Sequence, residues 1–274
     1  PCGPCSEIYF YLPNHPVKEE EKPGESDNWL EIWNLVFMQC ERKEAGGKLF
    51  PLPKPSIDTG AGLERITAVM KSKKTAYDTD LFAEIFAKID ELSSGEMDAR
   101  ARRIIADHVR TSAFLIAAGV VPANTAQGYI LRRLLRRAVR MASTLSMKQG
   151  SLSLIAQAVI QKYGSVYPEI SEYAEKICNE IDQEESKFQE TLQKGLKEFE
   201  KGTDPFILAT TYGFPIELTC ELAKEKGIEI DLNDFYAKME AHQNLSRTAS
   251  AGMFKGGLAN HNEKTVRLHT AHHL

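Results

Sequence analysis

The sequence predicts an α+β fold, β-rich at its start and mainly helical from about residue 74. The β reading rests on Ser6–Leu12 (SEIYFYL) and Leu30–Gln39 (LEIWNLVFMQ), aromatic and β-branched runs of strand length. The helical reading rests on Asp80–Leu92, Asp98–Ala118, Gly128–Ser143, Leu152–Tyr163 and Ile170–Glu200, where apolar residues recur three or four apart. Pro13–Asn28 reads as a polar loop. Gly46-Gly47 with Pro51, Pro53 and Pro55 reads as a break after the second strand. Ile170–Glu200 interleaves acids with lysines, the pattern of a solvated helix. Phe206–Ile216 and Ile228–Leu245 look like shorter elements, and Ala249–Asn262 (ASAGMFKGGLANHN) has a linker's composition. No internal repeat is visible.

The bulk numbers narrow the class. A chain of 274 residues has room for two ordinary domains. Its 42% hydrophobic and 26% charged content is that of globular material, not of a disordered tail. No apolar run approaches the roughly 20 residues of a membrane-spanning helix. The opening Pro1-Cys2-Gly3 lacks an initiator Met, so a cut end is expected there and silence about targeting means little. Five scattered cysteines argue against a disulfide framework and for a reducing compartment, with the cytoplasm as the expected location. At a net charge of −4, any surface for nucleic acid must be a local patch.

The first candidate site is Ile57–Ile66 (IDTGAGLERI). Gly60 and Gly62 let a backbone approach a ligand closely, because no Cβ intervenes. The following Leu-Glu-Arg reads as a helix start, which sets backbone amides near the glycines. Asp58 offers a carboxylate beside the gap, and Arg65 a planar fork suited to phosphate. On spacing alone a plain strand–turn–helix junction is the better reading, since Gly-x-Gly is a weak signal.

A resemblance changes that balance. IDTGAGLERI looks like motif 3 of class II aminoacyl-tRNA synthetases in the form that alanine–tRNA ligases use. LEIWNLVFMQ is similar to the strand before that motif, and Pro1–Ile8 (PCGPCSEI) to the preceding loop. The resemblance implies that Asp58 is the counter-charge for the alanine ammonium and that Asn34 hydrogen-bonds the amino acid. It also implies that Gly60 and Gly62 leave room for adenylate and that Arg65 meets the ATP phosphates. Glu7 is a weaker candidate for an ATP or Mg²⁺ contact. Cys2-Gly3-Pro4-Cys5 fits structural or substrate-loop cysteines better than half of a zinc site. A redox pair fits worst, because the strand-like residues that follow leave no helix to start at Cys2.

The second candidate is Gly128–Met141 (GYILRRLLRRAVRM). At 100° per residue, Arg132, Arg133, Arg136, Arg137 and Arg140 share an arc roughly 140° wide, with Leu131, Leu134, Leu135, Ala138 and Val139 opposite. No acid interrupts the arc, and like charges four apart repel. Something anionic is therefore expected to compensate, and phosphate is favoured over a solvated face. Together with Arg103–Asn124 (RIIADHVRTSAFLIAAGVVPAN), this block resembles the tRNA-recognition helices of alanine–tRNA ligases. There Asn124 corresponds to a reader of the acceptor stem, and a side-chain amide can both donate to and accept from base edges. Asp107, His108 and Arg110 are expected to make local pairings.

The sequence departs from the family at Ala118 and Gln127, where Asp and Arg are usual. Thr210 stands where the second reader of the G·U pair is an Asp, so that readout is the weakest transfer. A third candidate is His269-Thr270-Ala271-His272-His273. His269 and His273 would face one side of a helix as half of an editing-domain zinc site, whose Zn²⁺ needs ligands that are absent here.

The resemblance implies residues 1–72 as part of a class II catalytic domain with an antiparallel sheet, 73–248 as a helical tRNA-recognition domain, and 249–274 as a linker and the start of an editing domain. The implied partners are alanine, ATP with Mg²⁺, and alanine tRNA, with no membrane. The rival readings are a non-catalytic tRNA-binding module and, further off, part of an editing hydrolase. No segment of this sequence resembles motifs 1 and 2, which supply the main grip on ATP in this class. The 274-residue chain by itself is therefore expected not to activate alanine. Alanine-dependent pyrophosphate exchange should not rise above a no-enzyme control, and clean protein that exchanges above it would refute this.

Overall fold

The structure is a computed structural model and describes residues 1–12, 21–26 and 28–253. Strands β1 (Cys5–Tyr11), β2 (Trp29–Arg42) and β3 (Leu49–Ala61) form an antiparallel sheet in the order β1-β2-β3. The residues before β1 continue along β2. Cys2 N donates to Cys40 O at 2.7 Å, Cys40 N returns to Cys2 O at 2.9 Å, and Phe37 N donates to Pro4 O at 2.9 Å. A Cβ on Gly3 would lie 1.7 Å from the Phe37 carbonyl oxygen, so only glycine fits this approach.

Pro51, Pro53 and Pro55, expected to break the β region, lie inside β3. Proline cannot donate to a ladder and is confined to edge strands and irregularities. β3 is an edge of this sheet, and its register jumps from Ser56 opposite Met38 to Pro51 opposite Cys40. Leu52–Pro55 therefore stand against Gln39 alone, and the interruption absorbs two of the prolines.

Ten α-helices follow among the described residues. They are α1 (Leu63–Met70), α2 (Ala83–Leu92), α3 (Ala99–Ala117), α4 (Ala126–Thr144), α5 (Ser151–Tyr163), α6 (Pro168–Glu172), α7 (Ala174–Glu200), α8 (Pro205–Thr210), α9 (Ile216–Glu225) and α10 (Leu232–Met253). Asp98 caps α3, its carboxylate accepting from the Arg100 and Ala101 amides. α10 runs through Ala249–Met253, expected to be linker. Two alanines there, the best helix formers, outweigh Gly252.

The chain divides into two compact units, Pro1–Ser186 and the part from Lys187 on, so this division falls within α7. In the first unit, Ile85 and Ile89 of α2, Ile105 and Val109 of α3, Leu131 and Leu135 of α4, and Ile155 and Val159 of α5 are fully buried. Arg110 of α3 pairs with Glu64 of α1, which ties the helix after the sheet to the helical body. In the second unit, Phe188 and Phe214 stack with centroids 6.4 Å apart. Gly195 belongs there for space, since a Cβ would come within 2.1 Å of Phe214.

The expectation that this charged segment is a solvated helix holds for only part of α7. Ile177, Ile181, Glu184, Glu185, Phe188 and Leu192 are all buried. Glu185 points to the start of α5, where the backbone N–H groups of Gly150 and Leu152 favour its charged form, but burial outweighs them and raises its pKa from 4.5 to about 7. The folded state then holds this proton more tightly than the unfolded state does. Its contribution is full below about 4.5 and is lost as pH rises through about 7. Glu185→Gln should therefore gain stability relative to the parent as pH rises from 5 to 8, on the order of 2–3 kcal/mol in denaturant titrations. A difference that stays constant with pH would show that Glu185 does not titrate in this range.

Candidate active site

Antiparallel register decides which side chains share a face. Glu7 stands opposite Asn34, and Asn34 opposite Gly60; one row along, Cys5 stands opposite Val36, and Val36 opposite Asp58. Cross-strand partners point the same way, and so do residues two apart. Cys5, Glu7, Asn34, Asp58 and Gly60 therefore lie on one face, in two adjacent rows across all three strands. The sequence signal came from three separate segments, and pairing brings them together.

A hydrogen-bond network orders this face. Asn34 Nδ2 donates to Glu7 Oε1 at 3.2 Å and lies 3.3 Å from Cys5 Sγ. Tyr9 Oη donates to Glu7 Oε2 at 2.6 Å, and that bond pushes the phenol pKa up to about 12. With its amide nitrogen engaged, Asn34 keeps Oδ1 as an acceptor. Asp58 is exposed on β3. Cys5 was not singled out as a partner of Asn34, because only the register makes them neighbours, and Tyr9 joins the network through Glu7, two residues away on β1.

The glycines divide the work. A Cβ at Gly60 would meet nothing within 4 Å, so the face is open above it. At Gly62 it would press on the Arg65 side chain at 3.2–3.4 Å. The room at Gly62 thus goes to Arg65, whose Nη1 donates to Glu31 O at 2.8 Å while the side chain stays exposed. Gly62 is the N-cap of α1, so a helix begins at this end of the sheet, as the junction reading expects.

On α4 the five arginines do not form one open face. Arg140 is buried at 6% exposure. Glu184 of α7, exposed only 2%, accepts from Arg136 Nε at 2.7 Å and lies 3.5 Å from Arg132 Nε. Arg137 Nη1 donates to His108 Nε2 at 3.3 Å. A guanidinium only donates, so the His108 proton sits on Nδ1, 3.0 Å from Asp107 Oδ2. That hydrogen bond leads in holding the Asp107 carboxyl below its usual range. Arg133 is the member of the arc classed as exposed. The compensating anion that the sequence demanded is thus partly Glu184, within the same unit. Asn124 is exposed on the loop into α4, and its Oδ1 accepts from Arg132 Nη1.

The family model described as tRNA synthetases class II (A) matches residues 1–273. This chain belongs to that family. It is 41% identical to an alanine–tRNA ligase of Myxococcus xanthus over 92% of its own length and 31% of the relative's. It is 40% identical to that of Treponema pallidum over 100% and 49%, and 39% identical to that of Xanthomonas axonopodis pv. citri over 94% and 30%. The chain therefore spans between 30% and 49% of the length of these relatives.

Within this class II member the remaining candidates fall as follows. Thr210 ends α8 in the second unit, half-buried, with Oγ1 donating to Phe206 O at 2.7 Å. Asp107, His108 and Arg110 make the local pairings expected of them. His269 and His273 lie outside the described residues. Among the described residues no three His, Cys, Asp or Glu side chains converge as a metal site, and no helix is long and apolar enough to cross a membrane. Glu184 was missed, although its signal is present. It occupies an apolar-stripe position on α7, seven and three residues after Ile177 and Ile181 and four before Phe188. A carboxylate in such a stripe requires a cationic partner.

Proposed function

We propose that this chain carries the alanine-binding face and the tRNA-contacting helices of an alanine–tRNA ligase. The observation that supports it is the shared face of Glu7, Asn34, Asp58 and Gly60, set in register across three strands. A small ammonium fits between the exposed Asp58 carboxylate and the Asn34 Oδ1 acceptor, diagonal neighbours on adjacent strands. Open space over Gly60 suits the bulk of an adenylate, and the exposed Arg65 fork suits its phosphates. ATP with Mg²⁺ supplies the activated phosphoryl centre, and the residues here orient the amino acid and balance charge around it. Glu7 offers carboxylate oxygens toward a Mg²⁺ ion on the same face.

The tRNA side follows the same logic. Arg133, the exposed member of the arc, is the leading phosphate contact, and Arg132, Arg136 and Arg137, each less exposed, border it. Phosphate contacts fix register and carry little sequence information, so base choice falls to Asn124 and, with less support, to Thr210. Five scattered free cysteines suit a reducing cytoplasm.

The test of the active-site half is Asp58→Asn in an alanine–tRNA ligase containing this chain. Losing a charge-assisted hydrogen bond costs about 1.5–3 kcal/mol, so alanine activation should fall at least roughly tenfold while ATP binding holds. Unchanged activation would sink the assignment and favour a tRNA-binding module.

A further inference from the structure

Asn124 reaches the solvent with a fixed orientation, and the cause lies two side chains away. Glu184 is 2% exposed on α7, facing α4. Its Oε1 accepts from Arg136 Nε at 2.7 Å and lies 3.5 Å from Arg132 Nε. The far end of the same Arg132 guanidinium, Nη1, donates to Asn124 Oδ1. Arginine has no acceptor, so the Asn124 amide must turn its oxygen toward Arg132 and its two N–H donors outward. An exposed asparagine without such a partner turns freely and offers oxygen or nitrogen with little preference. Glu184 curbs that freedom through its ion pair with the guanidinium that meets the oxygen.

We propose that Glu184 and Arg132 form a positioning clamp that presents Asn124 to the tRNA acceptor stem as a hydrogen-bond donor only. The proposal rests on the reading of Asn124 as a tRNA contact. The ligand it selects is an acceptor atom on a base edge in the shallow minor groove of A-form RNA, where such edges are accessible. Glu184 is buried and meets no RNA, so its role is positioning. Arg132 acts through Asn124 more than through phosphate, which revises the even-handed assignment of the whole arc.

The experiment measures the affinity of the 274-residue chain for alanine tRNA and for a tRNA with a different acceptor stem. The readout is the ratio of the two affinities. Asn124→Ala should lower that ratio about five- to tenfold, the worth of one good hydrogen bond. Glu184→Gln should lower it by a similar factor while binding of the second tRNA holds, and added to Asn124→Ala it should lower the ratio no further. A merely structural role would weaken both tRNAs together and would add to Asn124→Ala. Should Glu184→Gln fail to fold, as judged by helical circular dichroism, Arg132→Met should lower the ratio by a similar factor, beyond any loss of phosphate attraction that it shares equally between the two tRNAs. A ratio unchanged in Asn124→Ala overturns the reading of Asn124, and the clamp with it. A ratio lowered by Asn124→Ala but preserved in a folded Glu184→Gln or Arg132→Met overturns the clamp alone.

Discussion

The helical part of this protein is organised by a carboxylate that cannot reach water. Glu184 lies at 2% exposure between guanidiniums of α4, and removing one partner of such a pair costs about 3–5 kcal/mol because the other charge is left buried. The arrangement holds α7 against α4 and fixes which way the arginine arc turns. Arg132 and Arg136, four apart and repelling on a bare helix, become tolerable around it. The same pairing narrows the cationic surface. In a chain of net charge −4, the exposed cationic surface of this arc is concentrated near Arg133. Under the proposed function, selectivity then depends less on charge than on the orientation of one amide, Asn124.

The sheet depends on a different constraint, which is register. A shift of one residue would send Glu7, Asn34 and Asp58 to the opposite face. Close approach at Gly3 and the paired bonds between Cys2 and Cys40 lengthen the β1–β2 pairing and resist such a slip. The interruption between Met38 and Cys40 leaves the rows nearer the candidate site undisturbed. The network from Tyr9 through Glu7 to Asn34 is formed within the sheet itself, so the proposed amino-acid site would be largely pre-ordered.

Much of this was legible in the sequence. The two aromatic runs are strands, the periodic segments are helices, and the Gly-x-Gly junction is a strand end followed by a helix start. The misses have identifiable physical causes. The three prolines read as a terminator because composition cannot distinguish an edge strand with an interrupted ladder from a loop. α10 was drawn too short because a glycine was weighed above two alanines. The arginine arc was correctly drawn and wrongly exposed. Periodicity gives the angular positions on a helix, but not which neighbour covers them. Glu184 could have been noticed as a charge in an apolar stripe; that it faces Arg132 and Arg136 follows only from how α7 packs on α4.

The most direct measurement is arginine-selective chemical modification of the chain, read by mass spectrometry with and without alanine tRNA. If Glu184 takes up the inner part of the arc, Arg133 should be modified in the free chain and shielded by tRNA, while buried Arg140 stays unmodified in both states. Modification of Arg132, Arg136 and Arg140 to the same extent as Arg133, all shielded together by tRNA, would show an open polycationic face and contradict the role given to Glu184.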